Sequence, residues 1–185
     1  MEDEDRFLVA RAVASQDTAA FGELVCRHQS QVRNFLRKMT GDLSLADDLA
    51  QDCFLHAWDK LHTYSGHGTF IGWLLKIAYT TFLQSKRKSK RYARILEEAG
   101  RVAPNESKAQ TDQTPDLNRF LAVLSEEERA ILTMSYASGL SHREISEATG
   151  LPIGTVKSII VRGKEKIRIL FEIKDHQHDK QTQRR

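Results

Sequence analysis

Proline is absent before Pro104, and throughout that stretch apolar side chains recur at helical spacing. After Asp17, the residues Phe21, Leu24, Val25, His28, Val32, Phe35, Leu36 and Met39 advance in steps of three, one and four. That spacing draws a single stripe along one helix. Gly41-Asp42 ends it, and Ser44 reads as the N-cap of a second helix with the stripe Leu49, Cys53, Phe54, Ala57, Trp58 and Leu61. Beyond the loop Thr63–Gly68, Thr69 can cap a third helix carrying Phe70, Trp73, Leu74, Ile77, Ala78 and Thr81. No segment alternates with the period of two that a half-buried strand needs. The first half therefore reads as a helical bundle.

Punctuation divides the rest. From Gly100 to Asp116 there is no Leu, Ile, Met or aromatic residue, and Pro104 and Pro115 fall inside the stretch. A segment with so little to bury reads as a flexible linker. Leu117, Phe120, Leu121 and Leu124 then mark a short helix. Ser125-Glu126-Glu127-Glu128 and Ser141-His142-Arg143-Glu144 are capping boxes that open two more helices, closed by Gly139 and Gly150. After Pro152, a last helix places Val156, Ile160, Gly163 and Ile167 inward. The expected architecture is all-α: a helical domain over 1–94, a linker over 95–116, and a four-helix domain over 117–173 containing a helix-turn-helix. The polar tail 174–185 is expected to fray.

Charge is uneven along the chain. The formal net charge is only +3, yet residues 86–94 (KRKSKRYAR) carry six basic groups and no acid. Thr155–Arg168 carries five basic groups and one acid, whereas residues 1–85 carry 8 basic and 11 acidic. Two basic clusters on an acidic or neutral background point to two contacts with a polyanion. The longest apolar run, Phe70–Leu75, is far short of the ~20 residues that span a bilayer, so no membrane insertion is expected. Cys26 and Cys53 stand alone, and the acidic opening Glu2–Asp5 does not read as a secretory leader. Both features suit a reducing cytoplasm. Seven scattered histidines form no HExxH or other metal-ligand spacing, and no glycine-rich phosphate loop or nucleophile elbow occurs. No catalytic residue, metal or cofactor is expected.

Three constellations remain. Leu140–Arg168 has the helix-turn-helix pattern, whose second helix enters the major groove. Its outward residues are Lys157, Ser158, Val161, Arg162 and Lys164, with Thr155 at the helix start. Lys and Arg can donate to guanine or phosphate, and Val161 offers an apolar contact to a thymine methyl. The helix over 44–61 sets Asp47, Asp48, Gln51, Asp52 and Asp59 opposite its core stripe, either as an ordinary solvated face or as a dock for a basic protein surface. The third helix runs into KRKSKRYAR, Arg87 included, and aromatic rings beside a cationic groove suit single-stranded nucleic acid. Phe70 and Trp73 read as core. Tyr79, off the stripe, and Tyr64, in the loop, are the better contact candidates.

Asp48-Leu49-Ala50-Gln51-Asp52-Cys53-Phe54-Leu55-His56-Ala57-Trp58 resembles the polymerase-docking helix of the extracytoplasmic-function (ECF) subfamily of sigma-70 family sigma factors. Phe70–Ala78 resembles their promoter −10 helix, and Gly154-Thr155-Val156-Lys157-Ser158 their −35 recognition helix. The resemblance implies an alternative sigma factor that binds core RNA polymerase and directs initiation at promoters with −10 and −35 elements. It implies that Asp48, Leu49, Gln51, Asp52 and Phe54, beside Asp47, meet the coiled coil of the largest polymerase subunit. Lys76, Tyr79, Thr80 and Gln84, with the loop Tyr64–His67, would face the melted −10 strand. Lys157, Ser158, Val161 and Arg162 would read the duplex −35 element. It further implies an anti-sigma factor as partner, typically one anchored in the membrane. The family often has Asn at the position of Thr80, Asp near Gln84 and Arg at Ile159. The rival reading, a freestanding helix-turn-helix transcriptional regulator, needs a dimer face or effector pocket that the first half does not offer.

Overall fold

Leu24, Val32, Phe35 and Leu36 are all at most 1% exposed, so the stripe read from the sequence is the centre of the first half. In the computed structural model of the chain, residues 2–99 and 123–182 are described, with side chains over 3–99 and 123–171. The first unit contains α1 (Glu2–Ser15), α2 (Thr18–Thr40), α3 (Leu43–Lys60), a 3-10 turn (Leu61–Thr63) and α4 (Phe70–Glu98). Asp17 caps α2, its carboxylate accepting from the Ala19 and Ala20 N–H groups at 3.0 and 3.1 Å. Gly41 ends α2 at φ 69°, a left-handed conformation that favours glycine. That turn delivers an extended Asp42, which caps α3 by accepting from Leu45 N–H at 3.1 Å. Ser44 is therefore not the cap; it is exposed and already inside the helix.

Helix α1 was not legible as a stripe because one of its buried positions is acidic. Leu8, Val9 and Ala12 are buried beside Asp5. An acid goes inside only when it is partnered. Here Asp5 Oδ2 lies 2.8 Å from His28 Nε2, and Arg27 reaches Oδ1 at 3.4 Å. His28 is thereby explained as a core histidine of α2.

The second unit contains α5 (Glu126–Leu132), a π-helical turn (Thr133–Ala137), α6 (His142–Thr149) and α7 (Ile153–Thr182). Both capping boxes form: Ser125 with Glu128, and Ser141 with Glu144. Gly150 adopts φ 77° and turns the chain from α6 into α7. Ala130, Ile131, Met134, Ile145, Val156 and Ile160 close the core. At Gly163 a Cβ would stand 2.6 Å from Leu132 Cδ1, so α7 crosses α5 where only glycine fits unchanged. No strand occurs among the described residues, and the architecture is all-α in two helical units. The linker and most of the helix expected over Leu117–Leu124 lie outside the described residues. The tail expected to fray from Lys174 instead continues α7 to Thr182, because no Gly or Pro follows Gly163 to stop the helix. The two units also touch, α4 against α6 and α2 against α5.

Core and surface leucines should separate cleanly in this bundle. Leu74 is fully buried and Leu55 is 61% exposed. Leu74→Ala should cost ~2–5 kcal/mol, and Leu55→Ala less than about 0.5 kcal/mol. Denaturant midpoints at unchanged slope check both.

Candidate functional site

Helix α3 divides its side chains sharply. Ala46, Leu49, Ala50, Cys53 and Ala57 are buried, while Asp47, Asp48, Gln51, Asp52 and Leu55 are exposed. Leu49, expected at a partner surface, is 4% exposed and belongs to the core. The heptad-like spacing that puts it inward leaves it nothing to offer a partner. Alongside the exposed face runs a groove of about 660 Å³ between α2 and α3. Phe21, Val25, Phe54, Leu55 and Trp58 supply its apolar lining, and Asp47, Asp48 and Gln51 its polar edge. Phe21 and Trp58 pack ring against ring at 5.0 Å between centroids. Asp47 is drawn toward Arg37 and Arg33, at 3.5 and 3.7 Å. Sequence reasoning assigned Phe21 and Val25 to the core stripe and so missed their part in the groove. The available signal was Leu55, an apolar residue outside the core stripe and among the acids.

The loop after α3 turns on Gly66 and Gly68, both at φ 76°. It folds Tyr64 back onto α4, where its ring meets Phe70 edge-on at 5.4 Å and Trp73 at 5.8 Å. The Tyr64 hydroxyl donates to Gly68 O at 3.1 Å, which fixes the loop. Thr69 caps α4 through its hydroxyl, accepting from Gly72 N–H at 3.1 Å. The resulting pocket of about 320 Å³ is lined by Tyr64, His67, Trp73 and Lys76 of the first unit. Trp73, read as core, is only partly buried and forms part of this wall. An adjoining recess between α3 and α4 holds Lys76, Thr80 and Gln84 beside His56 and Lys60. Arg87 continues this side of α4 and is exposed. Tyr79 departs from expectation: it is 8% exposed. Burial, and then the charges of Glu127 and Glu126 on α5, raise its phenol pKa. Its position off the stripe therefore does not leave it at the surface.

On α7, Lys157, Ser158, Val161, Arg162 and Lys164 are exposed and Val156, Ile160 and Gly163 are buried, as the spacing required. Val161 is 67% exposed. Thr155 is half-buried at the helix start, and its carbonyl accepts from the Ser158 hydroxyl at 2.8 Å. Lys164 is held over the Tyr136 ring at 4.9 Å. Ile159, where the family often has Arg, is buried at 5% exposure.

Two family descriptions match the chain, Sigma-70 region 2 over residues 24–92 and Sigma-70, region 4 over 116–167. The ECF RNA polymerase sigma factor RpoE of Cereibacter sphaeroides is 30% identical over 160 residues, covering 83% of this chain and 87% of that one. The chain belongs to the ECF sigma factors. CnrH of Cupriavidus metallidurans is 29% identical over 188 residues, covering 92% and 96%. A solved structure of CnrH in complex with the cytosolic domain of CnrY matches with a TM-score of 0.68 at 26% identity, covering 92% and 98%. The fold also matches the sigma factor RpoE solved in complex with the anti-sigma factor NepR from Bartonella quintana, with a TM-score of 0.67 at 22% identity, covering 83% and 97%. Membership decides against a freestanding regulator. Among the described residues of this sigma factor, no helix is long and apolar enough to cross a membrane.

The two thiols of the sigma factor differ in reach. Cys26 is exposed, whereas Cys53 is fully buried and burial pushes its pKa up to about 12. A thiolate is the reacting species. A thiol reagent at neutral pH should therefore label one cysteine per native chain and both after denaturation, read by intact mass. Rapid double labelling of the native protein would contradict the packing of α3.

Proposed function

We propose that this sigma factor docks on core RNA polymerase through the α2–α3 groove and opens promoters with the face of α4. The observation that carries the reading is the groove itself: an apolar floor rimmed by Asp47, Asp48 and Gln51, with Asp52 exposed beside it. Acid repels DNA but complements a basic protein surface, and an apolar floor supplies the contact area that charge alone does not. The resemblance matches this face to the coiled coil of the largest polymerase subunit. Phe54 and Leu55 then serve as apolar anchors, and Asp48 and Asp52 as the exposed charges.

The pocket of Tyr64, His67, Trp73 and Lys76 has the chemistry for an unstacked base and its phosphate. Thr80, Gln84 and Arg87 extend that surface along α4. The exposed residues of α7 suit duplex, with Lys157 and Arg162 on guanine or phosphate and Val161 on a thymine methyl. The chain thus acts by binding rather than by a reaction of its own, in the cytoplasm. A regulatory partner of the anti-sigma class is part of the proposal, supported by the matching complexes. A membrane anchor on that partner comes from the family resemblance.

Reversing both exposed acids, Asp48→Lys with Asp52→Lys, should reduce co-purification with core polymerase at least ~10-fold at unchanged thermal stability. Retention equal to the parent's would remove the docking face from α3. The two DNA surfaces should fail at different steps. Lys157→Ala or Arg162→Ala should cost ~1–3 kcal/mol in holoenzyme binding to duplex promoter, and pre-melting the −10 region should not restore it. Thr80→Ala or His67→Ala should chiefly impair opening, and a pre-melted template should rescue it. Rescue of Lys157→Ala and not of Thr80→Ala, in footprints on both templates, would reverse the assignments.

A further inference from the structure

Tyr136 lies outside the helix-turn-helix pattern, in the π-helical turn that follows α5, and it is not a core residue. Thr133 and Met134 of the same turn are buried, while Tyr136 is 57% exposed. Its ring carries a cation instead: Lys164 Nζ stands 4.9 Å from the ring centroid. The approach follows from Gly163, whose missing side chain lets α7 press on Leu132 and so brings the next residue against the turn after Leu132. The neighbouring cations of α7 are held differently. Lys166 donates to both Glu128 oxygens at 2.7 and 2.8 Å, and Arg168 donates to Glu165 at 2.6 Å. A carboxylate fixes a cation and cancels its charge, whereas a neutral tyrosine ring fixes it and leaves the charge in place. Lys164 also shares a face with the duplex-facing residues, since Lys157, Val161 and Lys164 recur at steps of four and three. It stands about 10 Å along the helix from Lys157, beyond the N-terminal residues of a recognition helix that reach base edges.

We propose that Tyr136 is a positioning residue for duplex binding, its ring holding the Lys164 ammonium ready for a phosphate beside the −35 element. The inference rests on the reading of α7 as the duplex-facing helix. A lysine stem is long and flexible, and a free one gives up rotamer freedom when it meets a phosphate. Over the ring that freedom is already reduced before DNA arrives, so less is lost on binding. The ring covers one side of the ammonium, and the remaining N–H donors stay open to a phosphate oxygen. A phosphate contact carries no sequence information of its own. Tyr136 therefore strengthens binding without changing which bases are preferred.

The test uses holoenzyme assembled from core polymerase and the full chain, with a fluorescein-labelled duplex promoter titrated over a range of salt. Lys164→Ala should weaken binding about 5-fold and lower the slope of log affinity against log salt by about one, the signature of one lost phosphate contact. Tyr136→Ala should weaken binding about 3-fold at unchanged thermal stability, since an exposed side chain is removed. In the Lys164→Ala background the same substitution should have no further effect, because nothing is left to position. Tyr136→Phe keeps the ring and should bind like the parent. Equal losses from Tyr136→Ala with and without Lys164 overturn the proposal, as does a Tyr136→Phe variant as weak as Tyr136→Ala. If Lys157→Ala weakens binding while Tyr136→Ala does not, the reading of α7 stands and the positioning role does not. If neither Lys157→Ala nor Lys164→Ala weakens binding, the reading of α7 fails and takes the positioning role with it.

Discussion

Helix α4 has to satisfy three neighbours with one sequence, and the rest of the molecule is arranged around that demand. Phe70, Leu74, Leu75, Ala78 and Phe82 are buried, and α4 packs against both α2 and α3. Lys76, Thr80 and Gln84 are exposed on a second side. The Thr69–Gly72 turn and, further along, Lys86 meet the second unit on a third. A helix offers each side only every third or fourth residue, so little freedom is left in the sequence from 69 to 84. Gly72 is the tightest case, since its missing side chain makes room for both the Thr69 cap and the Glu144 carboxylate.

The same economy governs α3. Leu49 and Cys53 are committed to the interior, so the proposed docking rests on the residues between them and on a rim borrowed from α2. This explains why an acidic helix face is accompanied by exposed Leu55 and half-exposed Phe54 and Trp58. Exposed apolar surface beside charge is the ordinary anatomy of a protein–protein interface.

Much of this was legible in the sequence because local chemistry and tertiary packing agree. Thr69, Ser125 and Ser141 cap the helices they were read to cap, and Gly41 and Gly150 end α2 and α6 in left-handed turns. The outward face of α7 follows from spacing alone. What was not legible depends on contacts distant in sequence. Helix α1 buries Asp5 because His28 and Arg27 receive it, which no periodicity of α1 contains. Tyr79 reads as a free contact residue, yet it is buried, with Glu127 and Glu126 of α5 near enough to raise its phenol pKa. The division of Glu144 between Ser141 and Thr69 joins residues 75 apart in sequence, and a capping box by itself gives no sign of the second partner.

The proposed function requires two DNA-facing surfaces on one chain to act together when the α2–α3 groove is seated on polymerase. The most direct measurement is transcription by purified core polymerase and this protein on fragmented genomic DNA, with start sites mapped by sequencing the transcripts. Starts should depend on the protein and share two sequence elements, near −35 and −10, at one narrow spacing. Starts that do not depend on the protein, or that share only one of the two elements, would contradict it.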